Sequence, residues 1–254
     1  MGARLGQHFL VCAEAADAIV HAAGLAPGEA VVEIGPGRGV LTERMLLSGI
    51  SVTAVELDRR LCAGLSARFP EGLTLLHGDF LKIDLAALPR PCAVVSNLPY
   101  AVAAPILQRL LDWPGWDRAV LMFQKEVAER ILAGPGSRKY GPLTLSVLLK
   151  AEAEPVRVVP RTCFSPRPRV DSAVVRLRRL ARPRLAEGVP EDRFFKAVGA
   201  AFQHRRKTVG KSMSLALGIP RSDAGALLAR AGLSPDVRAE DIPFEGFASL
   251  AKEV

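Results

Sequence analysis

Val31-Val32-Glu33-Ile34-Gly35-Pro36-Gly37-Arg38-Gly39 is the stretch that decides the fold. An apolar run of strand length enters a turn carrying glycine at every second position, and residues 40–48 beyond it have a helical pattern. Glycine permits a sharp turn and a close backbone approach to a ligand that a side chain would block. Strand, glycine turn and helix in that order open a βαβ unit, the repeating element of a parallel sheet.

The alternation continues outward. Residues 30–34, 51–56, 73–77, 92–97 and 118–123 read as strands, with helices at 40–48, 59–69 and 103–111. Two more strands, near 155–159 and 172–177, complete the sheet. After Arg182-Pro183-Arg184 the pattern turns helical, at 191–202, 209–217, 222–231 and 241–252. The fold class expected is α/β, with a small all-helical C-terminal domain; a boundary near 181 divides the chain into domains 1–180 and 181–254. Gly134-Pro135-Gly136-Ser137-Arg138-Lys139-Tyr140-Gly141 is rich in turn formers and predicts a mobile loop.

Composition narrows the class. The chain has 254 residues, 49% of them hydrophobic, enough for a sizeable core and too apolar for global disorder. No apolar run reaches membrane-spanning length, and Met1-Gly2-Ala3-Arg4-Leu5 lacks a signal-peptide pattern, so a cytoplasmic protein without membrane association is expected. Cys12, Cys62, Cys92 and Cys163 are far apart in sequence, as are the four histidines, which argues for reduced thiols and no metal site. The net charge of +8 is uneven: residues 1–150 carry +1 and residues 151–254 carry +7. Between Arg157 and Lys207 there are 14 basic and 4 acidic residues. A nearly neutral front and a basic back predict a small-molecule domain joined to a polyanion-binding surface.

Glu56 ends the second strand, 21 residues after Gly35, where a carboxylate can accept both hydroxyls of a ribose. The spacing Gly-x-Gly-x-Gly differs from the Gly-x-Gly-x-x-Gly of dinucleotide sites, and Glu33 beside the turn is unfavourable for a pyrophosphate but suits a cationic sulfonium. S-adenosylmethionine is therefore favoured over NAD as cofactor, on a Rossmann-like methyltransferase sheet. Asp79 and Phe80 follow the third strand, Asp79 placed to accept from an adenine amino group and Phe80 to pack beside the ring. Gly35, Glu56, Asp79 and Asn97 all fall at strand carboxyl ends, the edge at which open α/β sheets bind ligands.

Asn97 is the only asparagine in the chain, and it heads Asn97-Leu98-Pro99-Tyr100. With Arg outnumbering Lys 26 to 8 and only two tyrosines, the composition is that of a G- and C-rich genome. An asparagine kept against that bias points to chemistry. The amino nitrogen of adenine is a poor nucleophile because its lone pair is delocalised into the ring. Two acceptors aimed at its hydrogens, the Asn97 side-chain oxygen and the Leu98 carbonyl, would favour a tetrahedral nitrogen. Pro99 biases Leu98 towards an extended backbone. Tyr100 would stack on the base, a contact worth roughly 1–3 kcal/mol. Phe164, between Pro160 and Pro166, is a second aromatic that can face Tyr100 and sandwich a base drawn out of its stack.

These motifs, in this order, resemble the ribosomal RNA adenine N6-dimethyltransferase family of the small-subunit type (KsgA/RsmA). Gly6-Gln7-His8-Phe9-Leu10, the glycine turn, Glu56-Leu57-Asp58, Gly78-Asp79, the Asn97 tetrad, Phe164 to Ser172 and Ala201-Phe202-Gln203-His204-Arg205-Arg206-Lys207-Thr208 carry the resemblance nearly end to end. It implies a cofactor site at His8, Leu10, Gly35, Gly37, Glu56, Leu57, Asp79, Phe80 and Asn97, and a catalytic set of Asn97, Leu98, Tyr100 and Phe164. It implies transfer of two methyls to N6 of each of two adjacent adenines near the 3′ end of 16S rRNA, by a monomer acting on the small ribosomal subunit. Arg205, Arg206 and Lys207, on a helix, would contact phosphate.

The sequence departs from the family pattern in places. His8 and Lys211 stand where asparagine is usual, and the segment before Gly6 is short for a basic RNA-touching arm. Three rivals remain: a 23S rRNA adenine methyltransferase of the macrolide-resistance type, a DNA adenine methyltransferase, and a non-catalytic assembly factor on the same fold. The Arg205-to-Thr208 motif favours the small-subunit type, the small helical tail disfavours a DNA reader, and intact catalytic motifs disfavour the assembly factor.

Overall fold

The structure, a computed structural model, describes residues 7–254. Gly6 and the segment before it lie outside the described residues, and with them the expectations placed on the start of the chain. The strands are β1 (Phe9–Leu10), β2 (Ala30–Ile34), β3 (Ser51–Glu56), β4 (Leu73–His77), β5 (Cys92–Asn97), β6 (Trp116–Gln124), β7 (Ala151–Val159), β8 (Phe164–Ser165) and β9 (Ser172–Arg179). The helices are α1 (Ala13–Ala23), α2 (Val40–Leu47), α3 (Arg59–Arg68), α4 (Ala103–Asp112), α5 (Lys125–Ile131), α6 (Pro142–Lys150), α7 (Glu191–Phe202), α8 (Val209–Leu217), α9 (Arg221–Arg230) and α10 (Phe244–Leu250).

The chain forms two compact units. The first runs up to Ala128 and adds Ala151–Leu180. It holds a seven-stranded sheet in the order β4-β3-β2-β5-β6-β9-β7, parallel except for β9, which runs antiparallel to both β6 and β7. Val31, Val32, Ala93, Val94, Val95 and Ala119 to Phe123 are completely buried, the near-continuous apolar pattern of strands covered on both faces. Strand order reverses between β2 and β5, which places the glycine turn and the Asn97 tetrad on the two sides of the switch point. Ser96 Oγ donates to the Ile34 carbonyl across that point.

A second, two-stranded ladder pairs β1 with β8, Leu10 opposite Phe164. Two-residue strands carry no readable period, and neither was anticipated. Helix α1 is not among the helices expected from the sequence, although Ala15, Ala16, Ile19 and Ala23 are buried at helical spacing and Gly24 closes the helix at φ 55°.

The second unit is Glu129–Lys150 with Ala181–Val254. A boundary near 181 assigns 129–150 to the first domain; the structure instead puts that segment with the C-terminal helices. The reason is its apolar content. Tyr140, Leu145 and Leu149 are buried in one cluster with Phe194, Phe202 and Phe247, and Lys150 reaches Glu191 at 2.7 Å. The 134–141 stretch, predicted to be mobile, is tied down within this unit: Gly136 N donates to the Glu240 carbonyl at 2.8 Å and Tyr140 is fully buried. Helix α10 starts later than the sequence pattern predicts because Pro243 stands at its N-cap, preceded by a short 3-10 turn.

Candidate active site

The site is built at the carboxyl edge of the parallel strands. After β2 the chain turns through Gly35, Gly37 and Gly39 at φ 66°, 59° and 79°, a region that side-chain-bearing residues rarely adopt. A Cβ on Gly37 would come within 3.1 Å of the Phe9 ring, which lies over the turn, and the Arg38 guanidinium lies over that ring, 4.5 Å from its centre. Glu56, 3% exposed at the end of β3, accepts from Gly37 N at 3.1 Å through one oxygen and from Asp58 N at 2.9 Å through the other. The carboxylate is thereby locked to the turn, with further acceptor capacity on each oxygen.

Glu33 behaves differently from the expectation. It is 1% exposed, and burial pushes its carboxyl up to about 8; a hydrogen bond from Thr42 Oγ1 at 2.6 Å opposes the rise and the charge of Glu56 adds to it. The fixed negative charge assigned to Glu33 from sequence is therefore withdrawn near neutrality, because desolvation outweighs the hydrogen bonding from Thr42. Thr42 was not anticipated; it sits in the first turn of α2, and only the fold shows that it reaches Glu33.

Asp79 Oδ1 accepts from Leu81 N at 2.9 Å, so the residue caps the turn after β4 while also lining the cavity. One cavity is lined by His8, Leu10, Gly35, Gly37, Glu56, Leu57, Asp79, Phe80, Asn97, Leu98 and Tyr100. Residues up to 92 positions apart in sequence thus meet in one place, and every expected cofactor residue is among them.

Asn97 ends β5. Its Nδ2 donates to the His8 carbonyl over a long 3.4 Å, and among the described residues no donor occupies its side-chain oxygen. Tyr100 OH lies 2.6 Å from Ser172 Oγ, and burial raises its pKa against that hydrogen bond. The His8 ring sits 5.5 Å from the Tyr100 ring at 33°, and His8 Nδ1 donates to the Pro166 carbonyl at 2.7 Å.

Four expected residues, Phe164 and the triplet Arg205, Arg206 and Lys207, are placed differently from the expectation. Phe164 is 4% exposed and packs in the core with Leu10, Ile19 and Val174; it does not line the cavity beside Tyr100. Its pairing opposite Leu10 buries it, a consequence of the β1–β8 ladder that the sequence does not display. Arg205, Arg206 and Lys207 lie in a turn between α7 and α8 rather than on a helix, exposed to solvent. Arg205 donates to the Arg138 carbonyl at 2.8 Å and the Tyr140 carbonyl at 3.3 Å, so it holds the 134–141 stretch. Among the described residues no cluster of His, Cys, Asp and Glu has the make-up of a metal site, and no helix is long and apolar enough to cross a membrane.

Sheet order, switch-point cavity and glycine turn define a Rossmann-like fold of the methyltransferase class. The chain belongs to the family described as ribosomal RNA adenine dimethylase, whose model matches residues 2–254. It is 42% identical to ribosomal RNA small subunit methyltransferase A of Synechococcus sp., over 98% of this chain and 91% of that one. It is 44% identical to the protein of the same name from Phenylobacterium zucineum, over 97% and 85%. Among solved structures it resembles a dimethyladenosine transferase from Plasmodium falciparum (TM-score 0.80, 26% identity, 96% of each chain). It also resembles the 23S rRNA methyltransferase ErmE (TM-score 0.73, 29% identity, 96% of this chain and 98% of that one).

Proposed function

We propose that this chain is an S-adenosylmethionine-dependent enzyme that dimethylates N6 of two adjacent adenines near the 3′ end of 16S rRNA. The observation that carries this reading is the Asn97 tetrad opening onto the same cavity as the glycine turn and Glu56. The donor set fits the cofactor. Gly35 and Gly37 leave the backbone bare where an amino-acid moiety would lie, the two oxygens of Glu56 suit a ribose diol, and Asp79 and Phe80 suit an adenine. When bound, S-adenosylmethionine supplies an electrophilic methyl group.

The remaining work belongs to the chain. Asn97 Oδ1 and the Leu98 carbonyl accept the two amino hydrogens of the target adenine and orient its nitrogen. Tyr100 presents a ring face to the base. Holding nucleophile and methyl in line contributes up to about 7–11 kcal/mol of the barrier, without any group on the protein needing to take up a proton before transfer. Arg206 and Lys207 offer charge to RNA phosphates, with an affinity that falls as salt rises. Action as a monomer, without a metal ion, in the cytoplasm and during small-subunit assembly, forms part of the same proposal.

The test is transfer of labelled methyl groups to small- and large-subunit particles, with the modified bases mapped. Two adjacent dimethyladenines near the 3′ end of the small-subunit RNA are expected. Label on large-subunit RNA would support the 23S reading, and particle binding without label would support a non-catalytic assembly factor.

A further inference from the structure

Phe164 is buried, yet the segment that follows it still reaches the target-base side of the cavity, through two other contacts. Ser172 Oγ holds the Tyr100 hydroxyl at 2.6 Å, and the Pro166 carbonyl holds His8, whose ring lies against Tyr100. We propose that Ser172 is a positioning residue that, together with the tilted His8 ring, holds the Tyr100 ring in place for the target adenine to stack on. The inference rests on the methyltransferase reading above and deepens it.

Ser172 is well placed for this. It is fully buried and begins β9, where its backbone is opposite Gln124 of β6 on one side and Val159 of β7 on the other. A hydroxyl anchored between two neighbouring strands has almost no freedom to drift. Tyr100, by contrast, is only partly buried and sits in a short 3-10 turn beyond β5. A tyrosine side chain is defined by two torsions. The hydroxyl oxygen lies on the Cβ–Cγ axis, so a hydrogen bond there fixes the direction of that axis through the first torsion, and the tilted His8 ring limits rotation about it through the second. Stacking depends on ring overlap, so a ring held in one plane is ready for a base, whereas a free ring must be ordered when the base arrives. Among the described residues, Tyr100 is the hydrogen-bond partner of Ser172 Oγ, and the sheet around Ser172 is held by backbone pairs that a side-chain change leaves intact.

The experiment is a double-mutant cycle over Ser172→Ala and Tyr100→Phe, with Ser172→Thr as the rescue. It reads labelled-methyl transfer to small-subunit particles, cofactor affinity by calorimetry, and thermal stability. Loss of one neutral hydrogen bond is expected to lower kcat/KM about fivefold to tenfold in either single variant. The double variant should be no worse than the weaker single one, cofactor Kd should stay within about twofold, and Ser172→Thr should recover most of the activity. Multiplying losses in the double variant, or cofactor affinity falling in step with activity, would overturn the positioning role. Full activity of Tyr100→Phe overturns it even where a Ser172 variant does not fold. If the wild-type protein transfers no methyl to RNA, the functional reading falls and the positioning role with it.

Discussion

The two sides of the cavity are assembled in different ways. On the side proposed to hold the cofactor, four lining residues follow directly from parallel strands: Gly35 and Gly37 after β2, Glu56 at the end of β3, Asp79 after β4. On the target-base side, the contacts join residues remote in sequence: Tyr100 meets Ser172 across 72 positions, and His8 meets Pro166 across 158. The first side is a set of strand ends aligned by one parallel sheet. The second depends on an antiparallel strand and on a two-residue ladder. Chemistry at a strand end is announced by the strand itself; chemistry made by long-range pairing is not.

The strongest challenge to this contrast is Asn97, which belongs to both sides. Asn97→Ala should reduce methyl transfer at least about 100-fold, the scale seen when one preorganised polar group at a reacting centre is removed. RNA affinity should remain close to wild type in a filter-binding assay. Wild-type turnover by the variant would remove Asn97 from the reaction.

Phe164 distinguishes a core residue from a stacking one. Phe164→Leu should cost about 1–2 kcal/mol in urea unfolding, because it reshapes a packed site, with methyl transfer by the folded protein nearly retained. Unchanged stability with lost transfer would return Phe164 to the base-binding side.

The basic turn offers a subtler separation. Replacing Arg206 and Lys207 by Ala should make the slope of log K for RNA against log salt shallower by about 1–2. Arg205→Ala should affect that slope less and stability more, since its guanidinium is held by the Arg138 and Tyr140 carbonyls. Equal slope changes for Arg205 and its neighbours would contradict that division of roles.

The last test reads stability alone and leaves methyl transfer aside; it concerns Glu33. Its folded-state pKa, about 8, lies above the ordinary 4.5. Its contribution to stability is therefore complete below the unfolded pKa and is lost as pH rises towards and through 8. Glu33→Gln keeps an acceptor for Thr42 and removes the titration. Wild-type Tm should fall relative to this variant by on the order of 10 °C between about pH 5 and pH 9; parallel pH profiles would show that Glu33 is not desolvated.

Most of the sheet, and the places of Gly35, Glu56 and Asp79 at its strand ends, were legible because the parallel strands are short apolar runs ended by glycine or an acid, whereas His8 and Leu10 entered only through the family resemblance. Glu191–Phe202 and Val209–Leu217 emerge with the boundaries that their periodicity predicts. The stretch 134–141 was not legible, since turn-rich composition cannot reveal that Tyr140 is buried or that Arg205 grips its backbone. The charge of Glu33 was not legible either: a carboxylate looks the same in sequence whether water reaches it or not.

The sequence by itself determined which residue types stand at the strand ends, and hence the α/β class, the strand-end half of the cavity lining and the place of Asn97 within it. These follow from local backbone geometry, which a few neighbouring residues dictate. Only the tertiary structure decided that Phe164 is core, that Ser172 and His8 flank Tyr100, that 129–150 belongs with the C-terminal helices, and that Glu33 is pressed towards its neutral form. Each of those depends on burial or on partners distant in the chain, and such quantities exist only once the chain has folded.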